Sequence, residues 1–189
     1  MPSPIKTFFN SFTDVAKPSR FEVTIGPKTY NNISSSELIL RCETAELPSR
    51  TYATAEQKFG SNPVEKFPYQ VQFNDLNLTF IVDDDMLAKY FFDGWLEAVI
   101  PSSNYNPNYK DSYSATINIR QYKNNDDFSY SVNLFEAYPT SVNQLDLDWS
   151  AEGHHKLTVV FAYTSWQKTS TYKKSQNINR IFFNPNSEL

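Results

Sequence analysis

The sequence predicts a mainly β domain built of antiparallel strands, each with one face on a core and the other in water, beside a single amphipathic α-helix. Three observations carry this. Apolar and polar residues alternate over one stretch after another, one segment alone shifts to a four-residue period, and glycine, at 4 residues, is far below the ~13 that average usage would give. Such scarcity leaves little from which to build the glycine-rich phosphate loops of nucleotide-binding α/β folds, and no GxGxxG, P-loop or GxSxG pattern occurs.

Taken in order, "RFEVTI" sets Phe21, Val23 and Ile25 on one face, and "ELILRC" does the same for Leu38, Leu40 and Cys42. "PYQVQF" places Tyr69, Val71 and Phe73 against Gln70 and Gln72, and "LNLTFIV" places Leu76, Leu78, Phe80 and Val82 against Asn77 and Thr79. "SATINIRQ" and "FSYSVNLFEAY" repeat the scheme with Ala115, Ile117 and Ile119, then Phe128, Tyr130, Val132 and Leu134. Wet second faces of this kind belong to antiparallel sheets, since parallel sheets are covered on both sides. In "VDDDMLAKYFFDGWLEAVIP" the stripe Leu87, Phe91, Trp95, Val99, filled in by Tyr90, Gly94 and Ala98, marks the helix. Asp83 or Asp84 can cap its first N–H groups and Pro101 ends it; a cation on the three aspartates would need further ligands. "GPKTYNNISSS" and "NNDD" read as hairpin connections. "LPSRTYATAEQKFGSNPVEKFP" and "PSSNYNPNYKDSY" read as long loops, which at that length are usually functional or mobile.

The chain of 189 residues suits one domain, able to bury roughly 70% of the surface its unfolded form exposes. Its one cysteine, Cys42, lies in an alternating run and reads as a small buried hydrophobe rather than a nucleophile. No stretch resembles a signal peptide or reaches the ~20 apolar residues of a membrane span, so a soluble protein folding in a reducing cytosol, with no membrane partner, is expected. A formal net charge of −4 disfavours tight binding to nucleic acid.

"NQLDLDWSAEGHHKLTVV" gathers Asp146, Asp148, Glu152, His154 and His155. A metal centre would need three or four converging ligands, and these are the chain's 2 histidines. A hairpin accounts for the same residues. Leu145 would pair with Val159 and Leu147 with Leu157, leaving Asp148 opposite Lys156 and a turn at Ser150 to His154.

Beyond these local readings, "AKPSRFEVTI", "LRCETAELPSRTY", "FIVDDDMLAKYFFDGW", "INIRQY", "AYPTSVNQLDLDWS" and "LTVVFAYTSW" follow one another in an order that resembles the tail tube protein of T4-like contractile bacteriophages, from about Ala16 to Trp166. Related tubes occur in tailocins and type VI secretion systems. The resemblance implies a tail-tube/Hcp-like fold of two packed antiparallel sheets, sandwich- or barrel-like, with one flanking helix. It also implies six-membered rings stacked into a hollow tube inside a sheath, without enzymatic activity or cofactors. The partners it implies are further copies of the chain, the sheath, the baseplate and the tail terminator, with DNA passing through the lumen. In this family a hairpin or loop early in the domain reaches the adjacent ring, so Arg50, Thr51, Tyr52, Lys58 and Phe59 become candidates for ring-to-ring contact. Residues 1–166 would form the tube domain. Residues 167–189 would be a surface extension whose Ile178, Ile181, Phe182 and Phe183 are candidates for outer contact with a neighbouring subunit or the sheath. Within the family the alternatives are the tube protein of a tailocin or other contractile injection system and a baseplate tube-initiating protein; composition by itself equally allows a carbohydrate-binding β-sandwich or a small hydrolase.

Overall fold

The computed structural model describes Ile5, residues 15–150 and residues 152–169. The early strands are β1 (Phe21–Ile25), β2 (Thr29–Tyr30), β3 (Ile33–Ser34), β4 (Cys42–Ala45), β5 (Thr51–Gln57), β6 (Glu65–Gln72) and β7 (Leu76–Ile81), with a 3-10 helix at Ser35–Arg41. Helix α1 (Leu87–Val99) and the single turn α2 (Lys110–Tyr113) precede β8 (Ala115–Tyr122), β9 (Phe128–Val142), β10 (Lys156–Ala162) and β11 (Ser165–Lys168).

The main sheet is antiparallel and runs β1-β8-β9-β10-β7-β4, with β11 also on β9. Long β9 joins its two halves. Its first part pairs with β8, placing Val132 opposite Ile119 and Leu134 opposite Ile117. Its last part pairs with β10, placing Pro139 opposite Phe161 and Val142 opposite Val159. Between them Ala137 faces Ala115, so three residues of β9 span two of β8, and Glu136 takes a φ of 53°. This bulge shifts the inward face from Val132 and Leu134 to Ala137 and Pro139. Lys110 Nζ reaches Glu136 Oε2 at 2.6 Å, and Thr164 Oγ1 donates to the same oxygen at 2.7 Å.

Both halves contribute to one core: Val23, Ile25, Ile117 and Ile119 with Val132 and Leu134, and Leu76, Leu78 and Phe80 with Leu157, Val159 and Phe161. Helix α1 adds Ala88, Phe91, Phe92 and Trp95. Trp95 stacks on Phe92 and meets Phe91 and Phe161 edge-on, while its Nε1 donates to the Tyr113 carbonyl at 2.8 Å, so burying the indole leaves no orphan donor. The expected cap is present: Asp83 Oδ1 accepts from Leu87 N at 3.0 Å. At the other end Asn108 takes the carbonyls of Val99 and Ala98. Tyr90, expected on the apolar stripe, is exposed. The buried arc runs through Ala88, Phe91, Phe92 and Trp95, and Tyr90 lies outside it.

Two local expectations are corrected. "ELILRC" is mostly a 3-10 helix, in which Leu38 is buried while Leu40 is 95% exposed. Ser34 and Glu37 form a reciprocal capping box that starts this helix, and a local helix start outcompetes an alternating pattern with only three apolar positions, Leu38, Leu40 and Cys42. The hairpin proposed for the histidine region also differs. Val159 faces Val142 rather than Leu145, and Lys156 reaches Glu43 at 2.6 Å rather than Asp148. Asn143 stops the pairing, since its side chain accepts from Thr158 N at 2.7 Å and donates to the Lys156 carbonyl at 3.3 Å. With one edge of β10 taken by β7 and the other by β9 and Asn143, Leu147 has no place in the ladder.

Candidate assembly interface

Strands β5 and β6 form a two-stranded sheet of their own, apart from the main sheet. Where the sequence reads as a loop followed by a core strand, the structure has one hairpin. Thr51 faces Gln72, Tyr52 faces Val71 and Ala53 faces Gln70; the register then slips past Tyr69, so that Thr54 meets Pro68. Proline lacks the donor a regular ladder would require, and a bulge is where it is tolerated. A Lys66–Glu56 pair at 3.2 Å crosses the strands, and Gly60, at a φ of 61°, takes the left-handed turn conformation. All of β6 is exposed, including Phe67, Tyr69 and Val71, so its alternation serves no core formed by the described residues. At ~3.4 Å per residue the hairpin reaches about 27 Å from the body.

Its base is clamped by aromatic rings. The Arg50 guanidinium lies 4.9 Å from the Trp166 ring centroid and 5.8 Å from that of Phe73, and Phe73 packs on Tyr163. Trp166 Nε1 donates to the Ser49 carbonyl at 3.1 Å, and Asn74 Nδ2 to Ser49 Oγ at 3.1 Å. The five candidates therefore share one hairpin but divide along it: Arg50 faces its own chain at the base, Thr51 and Tyr52 form the first rungs, and Lys58 and Phe59 sit at the exposed tip. Reasoning from sequence missed Trp166 and Phe73 at the base, and Val64, Phe67, Tyr69 and Val71 on the returning side. The available signal was a run of large apolar residues interleaved with Pro, Lys and Glu, a composition ill suited to a core strand. Ile178, Ile181, Phe182 and Phe183 lie outside the described residues, and β11 continues to Lys168, two residues past the proposed domain boundary.

The opposite end of the molecule carries the β9–β10 connection. Asp148 Oδ1 accepts from Ser150 N and Oγ, both at 2.9 Å, and these bonds hold its carboxyl below the usual carboxylate range. Leu147 is 86% exposed and Trp149 fully so. Among the described residues no three of His, Cys, Asp and Glu converge on a common point. Cys42 is half-buried, and burial pushes its thiol up to about 12, leaving it protonated and unreactive at neutral pH. Among the described residues no helix is long and apolar enough to cross a membrane.

A compact β domain with a self-paired hairpin projecting from one end has the build of an assembly subunit. The sequence model of the phage tail tube protein family matches residues 16–169, and the chain belongs to that structural family. Its fold is similar to that of a chain of the anti-feeding prophage tube-terminating cap, at 17% identity and a TM-score of 0.66, covering 85% of this chain and 94% of that one. A chain of the anti-feeding prophage baseplate is 18% identical with a TM-score of 0.63, covering 83% and 97%. A chain of the PVC extracellular contractile injection system sheath-tube complex is 16% identical with a TM-score of 0.60, covering 90% and 100%. No curated protein sequence matches the chain.

Proposed function

We propose that this tail tube protein assembles as six-membered rings that stack head to tail into the inner tube of a contractile phage tail, the conduit for DNA at ejection. The observation that carries the reading is the β5–β6 hairpin, a β-ladder with apolar side chains exposed along both strands and, among the described residues, no sheet partner beyond itself. Such a ladder is stabilised when another subunit covers it. Tyr52, Lys58 and Phe59 would meet the adjacent ring, with Arg50 holding the base and Thr51 beginning the projection. Sheath, baseplate and terminator proteins are the expected partners, in the virion and, during assembly, in the host cytoplasm. Residues 167–189 would extend over the outside of the tube, with Ile178, Ile181, Phe182 and Phe183 fastening it. A role at a tube end is the second reading, favoured by the similarity to cap and baseplate chains.

Negative-stain microscopy and native mass spectrometry at high concentration, or with a baseplate template added, test the proposal. Hexameric rings and tubes of unlimited length are expected. Monomers and dimers alone under those conditions would refute it, and rings that never stack beyond one or two layers would favour the tube-end role.

A further inference from the structure

The hairpin and the β9–β10 connection leave the same half of the sheet at opposite ends of its strands. In the β7–β10 pair Leu76 lies opposite Phe161 and Ile81 opposite Lys156, while Ala45 of β4 lies opposite Leu78. The hairpin, inserted between β4 and β7, therefore departs at the Leu76 end. The β9–β10 connection enters β10 at Lys156, at the Ile81 end, where Val82 N donates to the His155 carbonyl at 3.1 Å. A displacement along the strand axis thus carries the hairpin tip of one copy toward the β9–β10 connection of the next, the head-to-tail relation that builds open stacks.

The two ends also match chemically. The tip presents Phe59 at 62% exposure and Val64 at 51%, and its charged residue, Lys58, pairs with no described acid. The receiving end presents Leu147 and Trp149 outward, flanked by Asp146, Asp148 and Glu152 without a Lys or Arg among them. Trp is over-represented among the residues that dominate protein interfaces, and a lysine arriving beside three acids steers the approach. We infer that the β9–β10 connection, through Leu147 and Trp149, is the receptor for the hairpin tip, Lys58, Phe59 and Val64, of a second copy in the next ring. Each contact is small, but a ring makes several at once, so stacking gains by multivalency what one tip lacks.

The inference rests on the tube reading, and two measurements separate their failures. In full-length chain carrying C42S, F59C and L147C, tubes treated with diamide should give a ladder of covalent multimers on denaturing gels, while either new cysteine alone should give none. In otherwise native chain, Trp149 emission should shift to the blue on polymerisation, and W149F should lack most of that shift. Tubes seen by microscopy with no ladder and an unchanged shift in W149F would overturn the receptor assignment and leave the tube reading standing. A shift that appears only when sheath protein is added would assign the loop to the sheath and overturn it equally. Failure of native chain to form tubes when seeded would remove both. If the cysteine variant does not polymerise, the fluorescence comparison decides.

Discussion

Asp83 serves two elements at once: one carboxylate oxygen accepts from Leu87 N at the start of α1, and the other pairs with Arg41 at the end of the 3-10 helix. The Arg41 hydrogen bond, helped by the Leu87 N–H, holds the carboxyl below its usual range. A lowered folded-state pKa means that this stabilisation is present above the unfolded value, near 4, and is lost as pH falls through the folded value. D83N should therefore lower the melting temperature at pH 7, and the gap to the unmodified protein should narrow below about pH 4. Thermal melts across pH 3–7 check this; a gap independent of pH would mean that the ion pair contributes nothing. The capping role of Asp83 was legible, because an acid ahead of an apolar stripe has few other uses. Its partner Arg41 was not, since the sequence assigned that residue to a strand.

At the scale of elements, local signals decided more than alternation did. Ser34 and Glu37 spell a helix start that the apolar pattern of "ELILRC" obscured. Asn31 and Asn32, with φ of 51° and 64°, close the β2–β3 turn, and Asn31 Nδ2 donates to the Tyr90 carbonyl at 2.7 Å. Gly94 permits this seating on α1: a Cβ there would stand 2.7 Å from Asn31 Nδ2 and 3.1 Å from Tyr30 Cβ. Helix propensity alone would make G94A stabilising by about 1 kcal/mol. The clash should win, with a net loss on the order of 1–2 kcal/mol, as for other overpacked sites. Equilibrium urea unfolding of G94A measures the sign, and a gain in stability would show that the turn moves aside freely.

Across the whole molecule, a net charge of −4 sets the expectation for nucleic acid. Fluorescence anisotropy at physiological salt should show no submicromolar complex with either of two unrelated DNA duplexes, and equal affinities where weak binding is measurable. A tight, sequence-selective complex would contradict the proposed role as a conduit for DNA. The projecting hairpin, the clamp at its base and the loop at the far end together give the subunit two unlike ends. That asymmetry is what a stacked assembly requires.

Alternation in "RFEVTI", "LNLTFIV" and "SATINIRQ", and the helical period around Trp95, were sufficient to identify the core strands and the helix, because side-chain periodicity is a property of consecutive residues. Alternation states that a face is apolar without stating what covers it. Tyr69 and Val71 alternate as regularly as Leu76 and Leu78, yet the first pair is exposed and the second buried. Which strands pair, where β9 passes from one half of the sheet to the other, and that the hairpin and the β9–β10 connection leave by opposite ends were decided by contacts between residues far apart in the chain. Those contacts depend on competition among partners for the same strand edges, as when Asn143 and β7 together left Leu147 and Trp149 outside. No run of neighbouring residues records such a competition, so only the tertiary structure could resolve it.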